Sequence, residues 1–365
     1  MTNFNNIKAA EVQLKLQQIW AEPTTSKDYS PRANALTTVL ENQTAVISEL
    51  ESSDTKRDVS VKWVDFCGDT AADGTDADTC VNEVAAEGAG KKKDYSLDIF
   101  VTDKFSVASE ELESSVISYD EIVATGIAAK IKNILEKFNE KVVAAIDANK
   151  GNNPFTAQFA VDNTTNKVTT IPAASYKADS IIPYLAQVSE LNRSNSTFLL
   201  DGGNLFQDYM KATANMPNAD GKLAGTLYGT LPYRHDLFGF AANSVSDVSY
   251  LIDKGAMAIA NRAKWPTLQQ LSGAKDGGWT HTSNGNFMRY SIPIDLSSIP
   301  KMTFISQGQL IKRSLFVDVQ HSVVCHSDGK LYPTWNFKLR AAVLPNPIRC
   351  TATNTGIIKL KKVAD

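Results

Sequence analysis

The chain has 365 residues, with 37 Lys and Arg against 40 Asp and Glu and a formal net charge of −3. That length holds two or three domains of ordinary size or one elongated body, and the near balance of charge excludes the strongly basic footprint of a dedicated nucleic-acid binder. The opening Met1-Thr2-Asn3-Phe4-Asn5-Asn6 has no basic stretch leading into an apolar one, and no run of about 18 apolar residues occurs, so a soluble, non-exported chain with no membrane partner is expected. Four cysteines, Cys67, Cys80, Cys325 and Cys350, form no C-x-x-C pair and are too few for a disulfide framework, which implies a reducing compartment. Cys67 and Cys80 can bridge if two strands bring them together, or stay as thiols; no bridge is predicted.

Residues 1–57 carry little periodicity and read as an extended arm. Ile7, Leu14, Leu16 and Ile19 can line a short helix that breaks at Pro23, followed by a loop through Pro31 and Arg32. Two alternating runs come next, Val59, Val61 and Trp63, then Tyr95, Leu97, Ile99 and Val101, and period two means strands. Between them, from Cys67 to Lys93, lie Asp69, Asp73, Asp76, Asp78, Glu83 and Glu87, with no base before Lys91, Lys92 and Lys93. This is a long polar hairpin tip, and a hairpin so built needs a body or a second subunit to lie against.

Ser118 and Glu121 form a capping box that opens a helix. Apolar residues at Ile122, Ile127, Ile131, Ile134, Leu135, Phe138, Val142 and Ile146 keep a 3.6-residue period until Asn149 and Gly151. About 30 residues give roughly 45 Å of amphipathic strut. Lys130, Lys137 and Lys141 form a second stripe, read as a solvated face. Phe155 to Ile171 reads as strand, turn and strand; Ala178 to Leu191 as a helix with Pro183 near its start; Thr197 to Gly203 as a short buried strand ending in a turn; Leu205 to Ala214 as a helix. Short strands are expected at His235–Phe240, Val248–Ile252, Gly255–Ile259, Tyr290–Ile294 and Leu315–Val324, with a Gly-rich loop from Gly273 to Gly285. Long strands are expected at Tyr332–Leu344 and Gly356–Val363. The class is α+β.

This order of parts, with the phrase Tyr250-Leu251-Ile252-Asp253-Lys254-Gly255-Ala256-Met257-Ala258-Ile259, resembles the tailed-bacteriophage major capsid proteins of the Hong Kong 97 type over nearly the whole chain. The resemblance implies an N-terminal arm at 1–57 and an extended loop at 58–105. A peripheral domain at 106–200 would contain a spine helix at 118–150, with an axial domain at 201–330 and return strands of the peripheral domain at 331–365. It also implies self-association into hexamers and pentamers of an icosahedral head enclosing double-stranded DNA, with a separate scaffold or none, a portal, decoration proteins and non-specific contact with DNA. An encapsulin-type nanocompartment shell is the alternative with the same architecture.

An enzyme should show an organised site, and G-x-x-x-x-G-K-[ST], G-x-G-x-x-G, G-x-S-x-G and H-E-x-x-H are all missing. His321, Cys325 and His326, with Cys350 further on, look most like metal ligands, but on one strand His326 points away from the other two. Asp73, Asp76 and Asp78 depart from the EF-hand spacing and read as an acidic loop. In some relatives a lysine of the extended loop forms an isopeptide cross-link; Lys91, Lys92 and Lys93 read instead as a charged run. No catalytic, cofactor or metal residue is assigned, and no enzymatic activity is expected.

Overall fold

The computed structural model describes residues 18–19, 29–43, 46–47, 58–64, 90–108, 119–192, 196–214, 224–227, 231–265, 287–296, 314–325, 327–346 and 355–365. Its elements begin with α1 (Asn34–Asn42), β1 (Val46–Ile47), β2 (Asp58–Val64), β3 (Gly90–Ser96), β4 (Ile99–Ser106) and α2 (Tyr119–Ala148). Next come β5 (Ala160–Asp162), β6 (Val168–Pro172), α3 (Ala178–Leu191), β7 (Thr197–Asp201), α4 (Phe206–Ala214), β8 (Ala224–Leu227) and β9 (Leu231–His235). The chain continues through α5 (Leu237–Ala242), β10 (Val248–Asp253), β11 (Met257–Asn261), β12 (Phe287–Asp295), β13 (Ser314–Cys325), β14 (Leu331–Pro345) and β15 (Ile357–Val363).

Three sheets form: a small one in the order β1-β2-β3, a seven-stranded one in the order β5-β6-β15-β10-β7-β9-β8, and a five-stranded one in the order β11-β14-β13-β12 with β4 on the free side of β14. The 30-residue helix α2 ties the two larger sheets into one core. Its Ile127, Ile131, Ile134, Phe138, Val142 and Ile146 pack with Leu200, Tyr250 and Ile252 of the seven-stranded sheet and with Val317, Trp335 and Phe337 of the five-stranded sheet. The apolar period of the sequence therefore describes a buried face broad enough for two sheets. On the far face of the seven-stranded sheet, Ile181, Tyr184, Leu185 and Val188 of α3 cover Leu199, Leu251 and Leu360. Strand β10, covered on both sides, is buried at every position, as a central strand between two layers must be.

Several elements differ from the sequence expectations. The alternation from Tyr95 to Val101 is continuous, yet β3 ends at Ser96, pairing with β2, while β4 pairs with β14. Alternation records which face a side chain takes and is silent on which strand lies alongside. The expected strand His235–Phe240 is the last residue of β9 followed by helix α5, because Asp236 caps that helix by accepting from the Gly239 N–H at 2.9 Å. Of the strand expected from Phe155, only Ala160–Asp162 forms; Phe155 and Phe159 pack on the Tyr184 ring instead.

The arm is not extended throughout: α1 is a nine-residue helix with all but Asn34 buried. Residues 201–330 supply strands to both larger sheets, and the two C-terminal strands part company, β14 into the five-stranded sheet and β15 into the middle of the seven-stranded one. A linear division at 200 and 330 therefore cuts through sheets, since strand partners are chosen by burial across distant segments. The capping residue Ser118, Cys67, Cys80, Cys350, His326, the acidic tip up to Ala89, the N-terminal stripe before residue 18 and the Gly-rich loop lie outside the described residues.

Candidate functional site

The first group of polar side chains holds the arm to the body. A helix leaves its first N–H groups without internal partners, and α1 has no capping side chain of its own. Asp236 Oδ2 accepts from Ala35 N at 2.9 Å and Asn139 Oδ1 from Leu36 N at 2.9 Å, both from far along the chain. The Asn139 amide also donates to Asp236 Oδ2 at 2.6 Å, so one carboxylate links α1, α2 and α5. There is no room for a side chain at Gly239, where a Cβ would meet Asn139 Nδ2 at 2.6 Å. Further along α1, Arg234 Nη2 donates to Glu41 Oε2 at 2.8 Å, with both side chains only 1% exposed, and Arg234 Nη1 donates to Thr37 Oγ1 at 3.2 Å. The far end of α1 is closed when Gly255 N donates to Asn42 O at 2.6 Å. None of these polar side chains is singled out by the sequence, because the partners that join the arm to the body stand between 97 and 201 residues apart.

A second group looks chemical and is buried. Asp201 is fully buried and accepts from Ser249 Oγ (2.6 Å), Tyr233 Oη (2.9 Å), Leu205 N (2.9 Å) and Gly203 N (3.0 Å), with Tyr176 Oη 2.6 Å from Ser249 Oγ. Burial raises the Asp201 carboxyl above its ordinary range, opposed by the Ser249 and backbone hydrogen bonds. A carboxylate, a serine and two tyrosines in contact invite a catalytic reading, but all four are buried, and the bonds from Gly203 N and Leu205 N to Asp201 hold the turn from β7 into α4. His321 of the metal-like set is buried and stacked on Trp335 with ring centroids 4.7 Å apart, while Cys325 is exposed at the end of the same strand. Burial pushes the His321 imidazole down to about 4. Among the described residues, no three of His, Cys, Asp and Glu are grouped to hold a metal, and no helix is long and apolar enough to cross a membrane.

The third group lies on the face of the five-stranded sheet turned away from α2. Along β14, Trp335, Phe337 and Leu339 point into the core, so Asn336, Lys338 and Arg340 point out. Asn336 and Lys338, with Thr102, Lys104 and Gln320 from the neighbouring strands and Trp265, border a cleft of about 530 Å³. Asp318 lies at its floor, accepting from Ser291 Oγ (2.7 Å) and Lys264 N (2.9 Å), with Arg340 Nε at 3.2 Å. The Lys264 and Arg289 cations sit 5.6 and 5.4 Å from the Trp265 ring, and Lys338 4.8 Å from that of Phe100. Burial, then the charges of Arg340, Arg289 and Lys338, lower the Lys264 ammonium, opposed by Asp318. The sequence reading does not reach this cleft, although the alternation of bases with apolar residues in Phe337-Lys338-Leu339-Arg340 carries the signal.

The hairpin completes the picture. Val64 faces Gly90, and Lys91, Lys92 and Lys93 lie on β3 opposite Trp63, Lys62 and Val61. Its described ties to the body are at its base, where Tyr95 Oη donates to Pro345 O at 3.4 Å and Leu97 packs with Ala258, Ala260, Ala342 and Leu344.

No family model and no curated protein matches this chain. Solved structures similar to it include the capsid asymmetric unit of cyanophage A-1(L), at 14% identity over 92% of this chain and 94% of that one, with a TM-score of 0.44. A structure from Mycobacterium phage Adephagia is 13% identical over 85% of this chain and 86% of that one, with a TM-score of 0.42. The SrpI encapsulin of Synechococcus elongatus is 10% identical over 74% and 75%, with a TM-score of 0.33.

Proposed function

We propose that this chain is the structural subunit of a tailed-phage head of the Hong Kong 97 type, assembling through hexamers and pentamers into an icosahedral shell around double-stranded DNA. The observation that carries this reading is the β1-β2-β3 sheet, which shares no strand with either body sheet and is tied to the body at one end. A small open sheet is marginal in water by itself, and lying over a second copy supplies the missing cover. In this reading α2 is the spine helix, the five-stranded sheet the peripheral part and the seven-stranded sheet the axial part. Contacts of this kind are heterologous, and they close a shell when the rotation between copies closes. A separate scaffold, a portal and decoration proteins belong to the same reading, as does loose contact with packaged DNA.

The test is size-exclusion chromatography with light scattering over a wide range of concentration and salt, followed by negative-stain microscopy. Rings of five or six copies, or closed shells, are expected. A chain that stays monomeric throughout overturns the proposal, and shells that enclose a protein cargo instead of DNA turn it into an encapsulin-type compartment.

A further inference from the structure

Two rows of side chains cross the outer face of the five-stranded sheet at its cleft. Strand register sets Lys104, Asn336 and Gln320 side by side on β4, β14 and β13, with Thr102, Lys338 and Asp318 in the row beside them. Both carboxylates that line the cleft are already matched. Asp318 has Arg340 Nε at 3.2 Å and accepts from the Ser291 hydroxyl and the Lys264 N–H; Asp103 has Lys130 at 3.2 Å and the Asn133 amide at 3.0 Å. The lining lysines have no such match: among the described residues no carboxylate lies within ion-pair distance of the Lys104 or Lys338 ammonium. Lys338 rests 4.8 Å from the centre of the Phe100 ring, a weak contact that a half-buried ammonium exchanges readily for an anion. The side-chain amides of Asn336 and Gln320 are likewise unengaged among the described residues.

Charge decides which ligand suits such a cleft. Diagonal neighbours on paired strands stand ~7–8 Å apart, close enough for the Lys104 and Lys338 side chains to converge on one group. Two ammonium point charges favour a compact dianion, whereas planar carboxylates are better matched by the forked guanidinium of arginine. A phosphate monoester carries roughly −1.5 to −2 at pH 7; a carboxylate or a phosphodiester carries half of that. A cleft of about 530 Å³ is the size that holds a small organic molecule, with room to spare around a bare ion. The Asn336 and Gln320 amides each offer a donor and an acceptor to the uncharged part of such a molecule.

We propose that this cleft binds a small organic phosphate monoester, its dianion between Lys104 and Lys338 and its hydroxyl- or amide-bearing part on Asn336 and Gln320. Nucleoside monophosphates and sugar phosphates share this chemistry. The inference stands on the cleft alone and does not depend on the assembly reading.

The experiment is isothermal titration calorimetry of the full chain with adenosine monophosphate, glucose 6-phosphate, adenosine, glucose and inorganic phosphate. One of the two esters should bind about tenfold or more tightly than its dephosphorylated form and than inorganic phosphate, and which one does so names the source. Lys104→Ala and Lys338→Ala should each weaken that ester about tenfold. Asn336→Ala should weaken it about threefold or more and leave inorganic phosphate unchanged, while Lys137→Ala, on α2, should change nothing. Thermal midpoints check that each variant folds, and Lys104→Gln with Lys338→Gln, which keep the side chains long, replace the alanines if a midpoint falls. The proposal is overturned if neither ester binds, if inorganic phosphate binds as tightly as both, or if binding survives loss of both lysines in a folded chain.

Discussion

Asp236 uses two oxygens to hold three helices: Oδ1 caps α5, and Oδ2 takes the Ala35 N–H in the first turn of α1 together with the Asn139 amide of α2. Nothing in the sequence around Asp236 announces this, because its partners Ala35 and Asn139 are 201 and 97 residues away. Apolar residues are more legible, since periodicity alone gives their direction. Phe138 is fully buried in the core and Lys137, beside it, is exposed and paired with Glu140. Phe138→Ala should therefore cost about 3–5 kcal/mol and Lys137→Ala no more than about 0.5 kcal/mol, compared by denaturant midpoints of unassembled subunits. Equal losses would mean that the helix faces the other way. His321 supplies a pH-dependent prediction. Its imidazole titrates at about 4 when folded and at about 6.5 when unfolded. The unfolded state therefore binds the proton first, and stability falls as pH drops from about 6.5 towards 4, by up to about 3 kcal/mol. His321→Phe should remove that part of the pH dependence, seen as a smaller loss of midpoint between pH 7 and pH 5 than in the wild type.

At the scale of elements, α2 and α3 are legible because each pairs a long periodic run with a clear stop, and β10 to β15 because apolar or alternating runs are bounded by turn residues. Helix α1 is partly legible: Leu36, Val39 and Leu40 have helical spacing, but the run is short, and Thr37 and Thr38 inside it are weak helix formers. In the structure both threonine hydroxyls donate to the Asn34 carbonyl, at 2.9 and 2.7 Å, which removes their conflict with the helix. The hairpin was read in outline, and its register now gives a sharper deletion. Val64 and Gly90 already face each other, so replacing residues 65–89 by Asn-Gly closes β2 onto β3 with the preferred two-residue turn. The variant should keep its cooperative thermal transition and lose assembly, measured by calorimetry and light scattering. Loss of the transition would place 65–89 in a folding core.

For the whole molecule, sequence order misleads about which parts belong together. Lys359 of β15 donates to Asp147 at the end of α2, 212 residues earlier, at 2.7 Å, and β15 is parallel to β6 on one side and antiparallel to β10 on the other. Removing residues 357–365 should therefore leave no stable seven-stranded sheet, seen as loss of the cooperative transition and rapid proteolysis between residues 151 and 256. The position of β15 also decides when the molecule can exist. During synthesis, at roughly 5–20 residues per second, β6 and β10 emerge long before the strand that belongs between them. For several seconds each presents an unpaired edge, the surface most prone to pair with the wrong chain. Pairings this distant are slow to find even in a complete chain. A cell making many copies at once thus faces its greatest hazard of misassembly before any native contact between subunits is available.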